Sequence, residues 1–210
     1  MQVGKQEKGS SNYFTKRMAL DAIKATGVNA SSIVAADIGS GEGQLSKILS
    51  SYFKEVFAVD AYQTPHIATN VKTIQSDLNL KWGLPNESID FAFSLEVLEH
   101  LENPRHFFRE LNRIIKPGGY AFITTPNNHS VYSKLTFLLK GEHRYFQDPS
   151  YPAHITALVI KDFERISGEN NLKILKYSYA NEDALPLVHY RLKLPGKLFS
   201  QSIGLLIQKS

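Results

Sequence analysis

Ile33-Val34-Ala35-Ala36-Asp37-Ile38 is an apolar run too short for a helix and rich in β-branched residues, and it halts at Gly39-Ser40-Gly41-Glu42-Gly43. Helical spacing follows at once, with Leu45, Ile48, Leu49 and Phe53 on one side. A strand that feeds a glycine turn and then a helix constrains the fold strongly, because the next strand is then free to pair in parallel. The motif is not isolated. Val56 to Asp60, Val71 to Asp77, Ile89 to Ser94 and Tyr120 to Thr125 read as further strands. Thr15 to Gly27 reads as a helix, as does the segment opened by Asn103-Pro104, whose buried face is Phe107, Phe108, Leu111, Ile114 and Ile115. Lys116-Pro117-Gly118-Gly119 stops that helix before the fifth strand. A helix from Val159 to about Gly168 and strands at Leu172 to Ala180 and Ser202 to Lys209 complete an α/β pattern with a mostly parallel sheet.

The 210 residues suit one domain over 15–210, preceded by a flexible polar segment at 1–14 and carrying an insertion at about 127–158 that reads as a long polar-aromatic loop. With no cysteine, disulfide scaffolds, thiolate metal sites and cysteine nucleophiles are excluded. No pair of the seven histidines has H-E-x-x-H spacing, so no metal is expected. No apolar leader or span is visible, and a cytoplasmic setting is the default expectation. Residues 1–118 hold 13 basic and 13 acidic side chains; the net charge of +4 lies wholly in the remainder. That field is too weak to suggest nucleic acid as a partner. The stretch 185–206 mixes Leu187, Val188, Leu192, Leu194, Leu198 and Phe199 with Arg191, Lys193 and Lys197 and has no acid. It reads either as a membrane-surface contact or as a connector covering the sheet.

The glycine turn can be tested by spacing. A dinucleotide fingerprint and a phosphate loop both fail at Gln44, and a hydrolase elbow fails at Ile38 and Glu42. The pattern that fits is acid-x-Gly-x-Gly-x-Gly. Asp37 to Gly43 resembles the first motif of class I S-adenosylmethionine-dependent methyltransferases. The likeness continues in order through Val59-Asp60, Ser76-Asp77-Leu78, Leu84 to Phe91, Ser94 to Leu101, Lys116 to Gly119 and Thr125-Pro126-Asn127. It is nearest to the small-molecule branch that includes the ubiquinone-biosynthesis O-methyltransferases.

The resemblance implies a Rossmann-like seven-stranded sheet with helices on both faces and an antiparallel last strand. It implies S-adenosylmethionine as cofactor, held by Asp37, Gly39, Ser40, Gly41, Gly43, Asp60, Ala61, Asp77, Leu78, Ser94 and Leu95. Asp60 would hold the ribose hydroxyls, and Leu78 serves either as adenine wall or as core. His100 and His154 are candidate general bases, each with a packing role as the alternative. His143 and Tyr145, in the variable loop, are candidate substrate contacts. The reaction expected is methyl transfer to a small molecule, with a hydroxyl as first choice of acceptor. Because the leaving thioether is neutral, alignment is the main demand on the protein. Two rival readings are a catalytically inactive binding protein of the same fold and an NAD-dependent oxidoreductase.

Overall fold

A computed structural model describes residues 12–63, 65–180 and 196–210. Helix α1 (Tyr13–Thr26) leads to β1 (Val34–Ile38), α2 (Gln44–Leu49), β2 (Glu55–Asp60) and β3 (Val71–Gln75). Then come β4 (Ile89–Leu95), α3 (Pro104–Ile114), β5 (Ile115–Pro126), α4 (Val131–Lys140), α5 (Ile160–Glu169), β6 (Leu172–Tyr179) and β7 (Ser202–Lys209). The seven strands form one sheet in the order β3-β2-β1-β4-β5-β7-β6. Strands β1 to β5 pair in parallel, and β7 lies antiparallel between β5 and β6.

Period-two alternation sends side chains to both faces, and both faces are apolar. Ala35, Val56, Ala58, Phe91, Phe93, Phe122 and Leu206 face one way and pack with Ala19, Ala22 and Ile23 of α1 and Leu45 and Leu49 of α2. Ala36, Ile38, Val59, Ala92, Ala121, Ile123, Ile203, Leu205 and Ile207 face the other, against Phe107, Phe108 and Leu111 of α3 and Phe163 and Ile166 of α5. Double-sided burial explains why the strands read as continuous apolar runs. Gly204 is required by this packing, since a Cβ there would lie 2.6 Å from Met18 Cε and 2.7 Å from Phe122 Cζ.

Several boundaries differ from the sequence reading. Helix α1 begins at Tyr13 because the Asn12 side chain accepts the Thr15 N–H at 2.9 Å, so the cap lies inside the segment expected to fray. Strand β5 starts at Ile115, at once after α3, and absorbs Lys116-Pro117-Gly118-Gly119. There the register jumps from Ile89↔Ile115 to Phe91↔Tyr120, a bulge pinned by Lys116 Nζ on Asp90 Oδ2 at 2.8 Å. Strand β3 stops at Gln75, two residues before Asp77. The insertion at 127–158 contains a capped helix, α4, whose apolar residues are mostly outside the core. Of the stretch 185–206, residues 185–195 lie outside the described residues, while Ser202 to Leu206 are buried within β7. Among the described residues no helix is long and apolar enough to cross a membrane.

Candidate active site

The strand order reverses between β1 and β4, and ligands of such sheets bind in the crevice beyond the carboxyl ends at that point. Gly39 to Gly43 sit there, with Gly39, Gly41 and Gly43 at φ of 79°, 53° and 79°. A Cβ on Gly39 would lie 2.4 Å from Val97 Cγ2, so glycine is demanded by both backbone and space. The loop is closed on itself and on β2. The Gly39 and Ser40 N–H groups donate to Val59 O at 2.8 and 3.0 Å, and Gly43 N–H to Ser40 O at 2.8 Å. Gly41 N–H donates to Asp60 Oδ2 at 2.8 Å, and Tyr62 N–H to Asp60 Oδ1 at 2.9 Å. Four amides that would cradle a pyrophosphate in a dinucleotide site are thus already engaged. Helix α2 behind them has only six residues, so its dipole adds little.

The local charge is negative. Asp37 is 2% exposed and accepts from Ser46 Oγ at 2.6 Å. Burial pushes its carboxyl up to about 6, the Ser46 hydrogen bond pulls it down, and the Asp60 charge pushes it up further. A buried carboxylate beside a second one suits a cationic ligand and penalises an anionic dinucleotide. Ser94 Oγ donates to Ile38 O at 3.0 Å and ties β4 to β1, with Leu95 buried beside it. Ala61 is exposed, and its carbonyl accepts from Gln75 Nε2 at 3.0 Å. Asp77 is exposed and accepts the Asn79 N–H at 2.9 Å, a turn that starts the chain away from β3. Leu78 is 6% exposed and belongs to the core beneath that turn.

The second half of the site is built by chain far apart in sequence. His100 closes a 3₁₀ turn (Leu98–His100) after β4, and its ring lies 4.9 Å from that of His154, edge to face. His100 Nδ1 is 2.8 Å from Ala153 O, and His154 Nδ1 is 2.7 Å from Tyr145 O. A carbonyl only accepts, so each Nδ1 carries a proton, and in the neutral His154 ring Nε2 keeps its lone pair; the His100 ring has a second backbone partner at Glu96. Burial lowers the His100 pKa, and the neighbouring His154 lowers it further. Tyr145 therefore meets the histidine pair through its backbone. His143 is elsewhere: Ser133 Oγ lies 3.1 Å from its Nδ1, and its ring stacks on Phe137 at 5.0 Å. With Lys134, Phe137 and Leu138 it lines a cavity of about 490 Å³.

Glu99 is absent from the residues expected by sequence. It is 1% exposed, its Oε2 accepts from Thr125 Oγ1 at 3.0 Å, and its carbonyl accepts from the N–H groups of Ile155 and Thr156 at 2.9 and 3.0 Å. Burial first, and then the Glu96 charge, hold its carboxyl well above the usual carboxylate range. Glu96 has a left-handed backbone, with φ of 55°. Ligand atoms of Glu99, His100 and His154 all lie within 4.8 Å of one another, a group able to hold a metal ion. Local histidine spacing could not signal this, since His154 comes from a distant loop. The available signal was two acids beside His100 in an otherwise apolar run, Leu95-Glu96-Val97-Leu98-Glu99.

Residues 13–177 match the family model described as a methyltransferase domain. The mitochondrial ubiquinone biosynthesis O-methyltransferase of Dictyostelium discoideum is 28% identical over 159 residues, which cover 66% of this chain and 49% of that protein. A probable S-adenosylmethionine-dependent methyltransferase of Mycobacterium tuberculosis is 30% identical over 96 residues, 43% of this chain and 35% of that one. The chain thus spans about half or less of the length of these relatives. Among solved structures, a putative sarcosine dimethylglycine methyltransferase from Galdieria sulphuraria superimposes with a TM-score of 0.67 at 16% identity, covering 93% of this chain and 85% of that one. An S-adenosylmethionine-dependent methyltransferase from Mesorhizobium loti gives 0.62 at 18% identity, covering 90% and 96%. At these identities the likeness concerns the fold.

Proposed function

Because the chain belongs to the methyltransferase domain family, whose methyl donor is S-adenosylmethionine, we propose that it moves the methyl group of that donor to a hydroxyl of a small molecule, with His154 taking the hydroxyl proton. The donor's sulfonium and ammonium are cations, which suits a crevice bordered by Asp37 and Asp60. In this reading the glycine loop from Gly39 through Ser40 and Gly41 to Gly43 lies along the donor, and Asp60 accepts from the ribose hydroxyls. Ala61 and Asp77 border the adenine, with Leu78 in the core beneath them, and Ser94 and Leu95 form the floor. Tyr145 lies on the acceptor's side through its carbonyl on His154 Nδ1, whereas His143 faces the separate cavity beside α4.

The observation that carries the choice of a hydroxyl is the pair of imidazoles with both Nδ1 atoms tied to carbonyls. His154 Nε2 is left as a proton acceptor, as a hydroxyl nucleophile needs, while His100 is further tied to the Glu96 backbone. Burial and the nearby His154 weaken His100 as a base, so His154 is assigned the proton and His100 the task of orienting it. The transfer itself is an in-line displacement: a lone pair on the acceptor oxygen forms the new C–O bond as the C–S bond breaks, and the hydroxyl proton passes to His154 Nε2. Methyl transfer to a panel of phenolic and aliphatic hydroxyl compounds tests this. With an accepted substrate, His154→Ala should lower kcat by ~10²–10⁴-fold while binding of S-adenosylhomocysteine stays nearly intact. Near-normal kcat in that variant overturns the base assignment, and methylation of amines alone overturns the acceptor.

One observation favours a second route to the same chemistry. A divalent cation on Glu99, His100 and His154 would lower the pKa of a coordinated hydroxyl and replace the base. Activity that is abolished by a chelator and restored by a divalent cation selects this route.

A further inference from the structure

Helix α4 is turned outward. Helix α3 buries Phe107, Phe108, Leu111 and Ile114, whereas of the ten residues of α4 only Ser133 is buried. Leu135 and Phe137 are 49% and 51% exposed, and Leu138 and Leu139 are 78% and 80% exposed. Leu135, Leu138 and Leu139 follow the i, i+3, i+4 spacing of one helical face. The helix is held by its ends. Ser130 Oγ caps it at Ser133 N–H, Gly141 closes it in the left-handed region, and Val131 N–H donates to Leu198 O at 2.8 Å. Leu198 is itself 44% exposed. A rigid helix thus presents an apolar ridge to solvent, a feature that marks interaction surfaces.

The charge around the ridge identifies what it meets. Val131 to Lys140 contains Lys134 and Lys140, both exposed, and no acid. Lys140 Nζ bonds to the uncharged Gln147 Oε1 at 2.9 Å. Lys134 and Lys197 lie close enough to His129 that their charges help to lower its pKa, after burial. The Arg144 guanidinium sits over the Tyr132 ring at 5.1 Å. A second copy of the chain docked through the same face would set these cations against each other. We propose that α4 docks the protein on a phospholipid bilayer surface carrying anionic headgroups, with Leu135, Leu138 and Leu139 entering the acyl boundary and Lys134 and Lys140 meeting the headgroups. Apolar area joined to basic charge is what interfacial binding requires. The proposal stands independently of the methyl-transfer reading.

The test is co-sedimentation of the 210-residue chain with vesicles of phosphatidylcholine alone and of phosphatidylcholine mixed with phosphatidylglycerol. Binding is expected to the mixed vesicles only and to weaken with added salt. The double variant Leu138→Ser/Leu139→Ser should reduce it by about tenfold or more, and Lys134→Ala/Lys140→Ala should remove its salt dependence. Leu80→Ser, at an apolar position 64% exposed on another part of the surface, should leave it unchanged. All four substituted side chains of α4 are exposed, and a thermal melt by circular dichroism verifies that each variant folds. Failure of the wild-type chain to pellet with anionic vesicles overturns the proposal. So does binding that survives the leucine pair, or a dimer in sedimentation velocity that the leucine pair abolishes while vesicles are not bound.

Discussion

Asp37→Asn should make the ligand-free protein more stable at pH 8 while weakening its hold on S-adenosylmethionine. An aspartate normally titrates near 3.8, and burial holds Asp37 at about 6 despite the Ser46 hydrogen bond. A carboxyl raised in the folded state contributes stability that is complete below its unfolded value and is lost as pH rises through its folded value. The gap amounts to about 3 kcal/mol at pH 8, the cost of keeping the buried anion. Asparagine retains the shape and an oxygen for Ser46 Oγ but carries no charge. Its amide nitrogen needs a partner in a buried place, which offsets part of the gain, so the variant should gain about 1–3 kcal/mol at pH 8. Below pH 4 the gain vanishes and only the amide's own cost remains, a loss of about 0–2 kcal/mol.

Urea unfolding followed by circular dichroism, at intervals from pH 4 to 8, measures this directly. The difference between variant and wild type isolates Asp37 from Glu99 and the histidines, which titrate in both proteins. Calorimetry with S-adenosylmethionine at pH 7.5 supplies the other half, with an expected loss of affinity of about tenfold or more as a charge-assisted contact disappears. Near pH 6 the wild type should release a proton on binding the cation and the variant should not. A variant no more stable than wild type at pH 8, or a stability difference that does not change with pH, would refute the assignment of a charged, strained carboxylate at this position.

Gly39→Ala should destabilise the chain by about 2–4 kcal/mol and abolish S-adenosylhomocysteine binding, because its Cβ would meet Val97 Cγ2 at 2.4 Å and its φ is 79°; a melt and a titration measure both. Asn127 is fully buried, and its Nδ2 donates to Lys197 O, Ser200 O and Ser200 Oγ at 2.8 to 3.0 Å. Asn127→Ala should cost about 2–4 kcal/mol in urea unfolding by leaving two carbonyls without their donor. Glu99→Gln should melt with the wild type in acid below the usual carboxylate range, where the wild-type carboxyl is protonated whether the chain is folded or unfolded. It should resist mild alkali better, because the stability lent by a raised carboxyl is lost as pH rises through its folded value.

The parts of the site that could be read from sequence are those that the chain builds locally. Asp37 to Gly43 spans seven consecutive residues, and their spacing alone separates a glycine turn with an acid from a phosphate cradle. Asp60 is next in line because β2 pairs with β1 over Val34↔Glu55 to Ile38↔Val59, which brings its carboxylate to Gly41. The inner strands were legible for a related reason: β1, β4, β5 and β7, buried on both faces, leave apolar runs, whereas the edge strands β3 and β6 interleave apolar with exposed polar residues. Helix α4 was not legible as part of a core because its apolar residues serve no core. Leu135, Leu138 and Leu139 have helical spacing, yet without a buried partner the surrounding polar and aromatic residues read as loop. The bulge in β5 was hidden for the opposite reason. Pro117-Gly118-Gly119 is a strong local stop, and it was overridden by pairing of Ile115 with Ile89 and by the Lys116–Asp90 ion pair.

The acceptor side is where local reasoning ends, and Glu99 shows why. Its carboxyl reaches Thr125 at the end of β5, while its carbonyl holds the Ile155 and Thr156 N–H groups of the loop before α5. That loop carries His154, whose own Nδ1 is turned by the carbonyl of Tyr145. Ala153 of the same loop turns His100. One buried residue thus couples the ends of two parallel strands to the segment that presents both imidazoles, and each link joins residues that are distant in sequence. A carboxyl that is uncharged in this setting can sit in an apolar wall without a counter-ion. Were it ionised, it would need one, and the two imidazoles have ring nitrogens within 4.8 Å of it. In the proposed reaction the protonation of Glu99 and the choice between a histidine base and a bound cation are therefore linked: a neutral Glu99 would favour His154 Nε2 as the proton acceptor, and an ionised Glu99 would offer the same three groups as ligands.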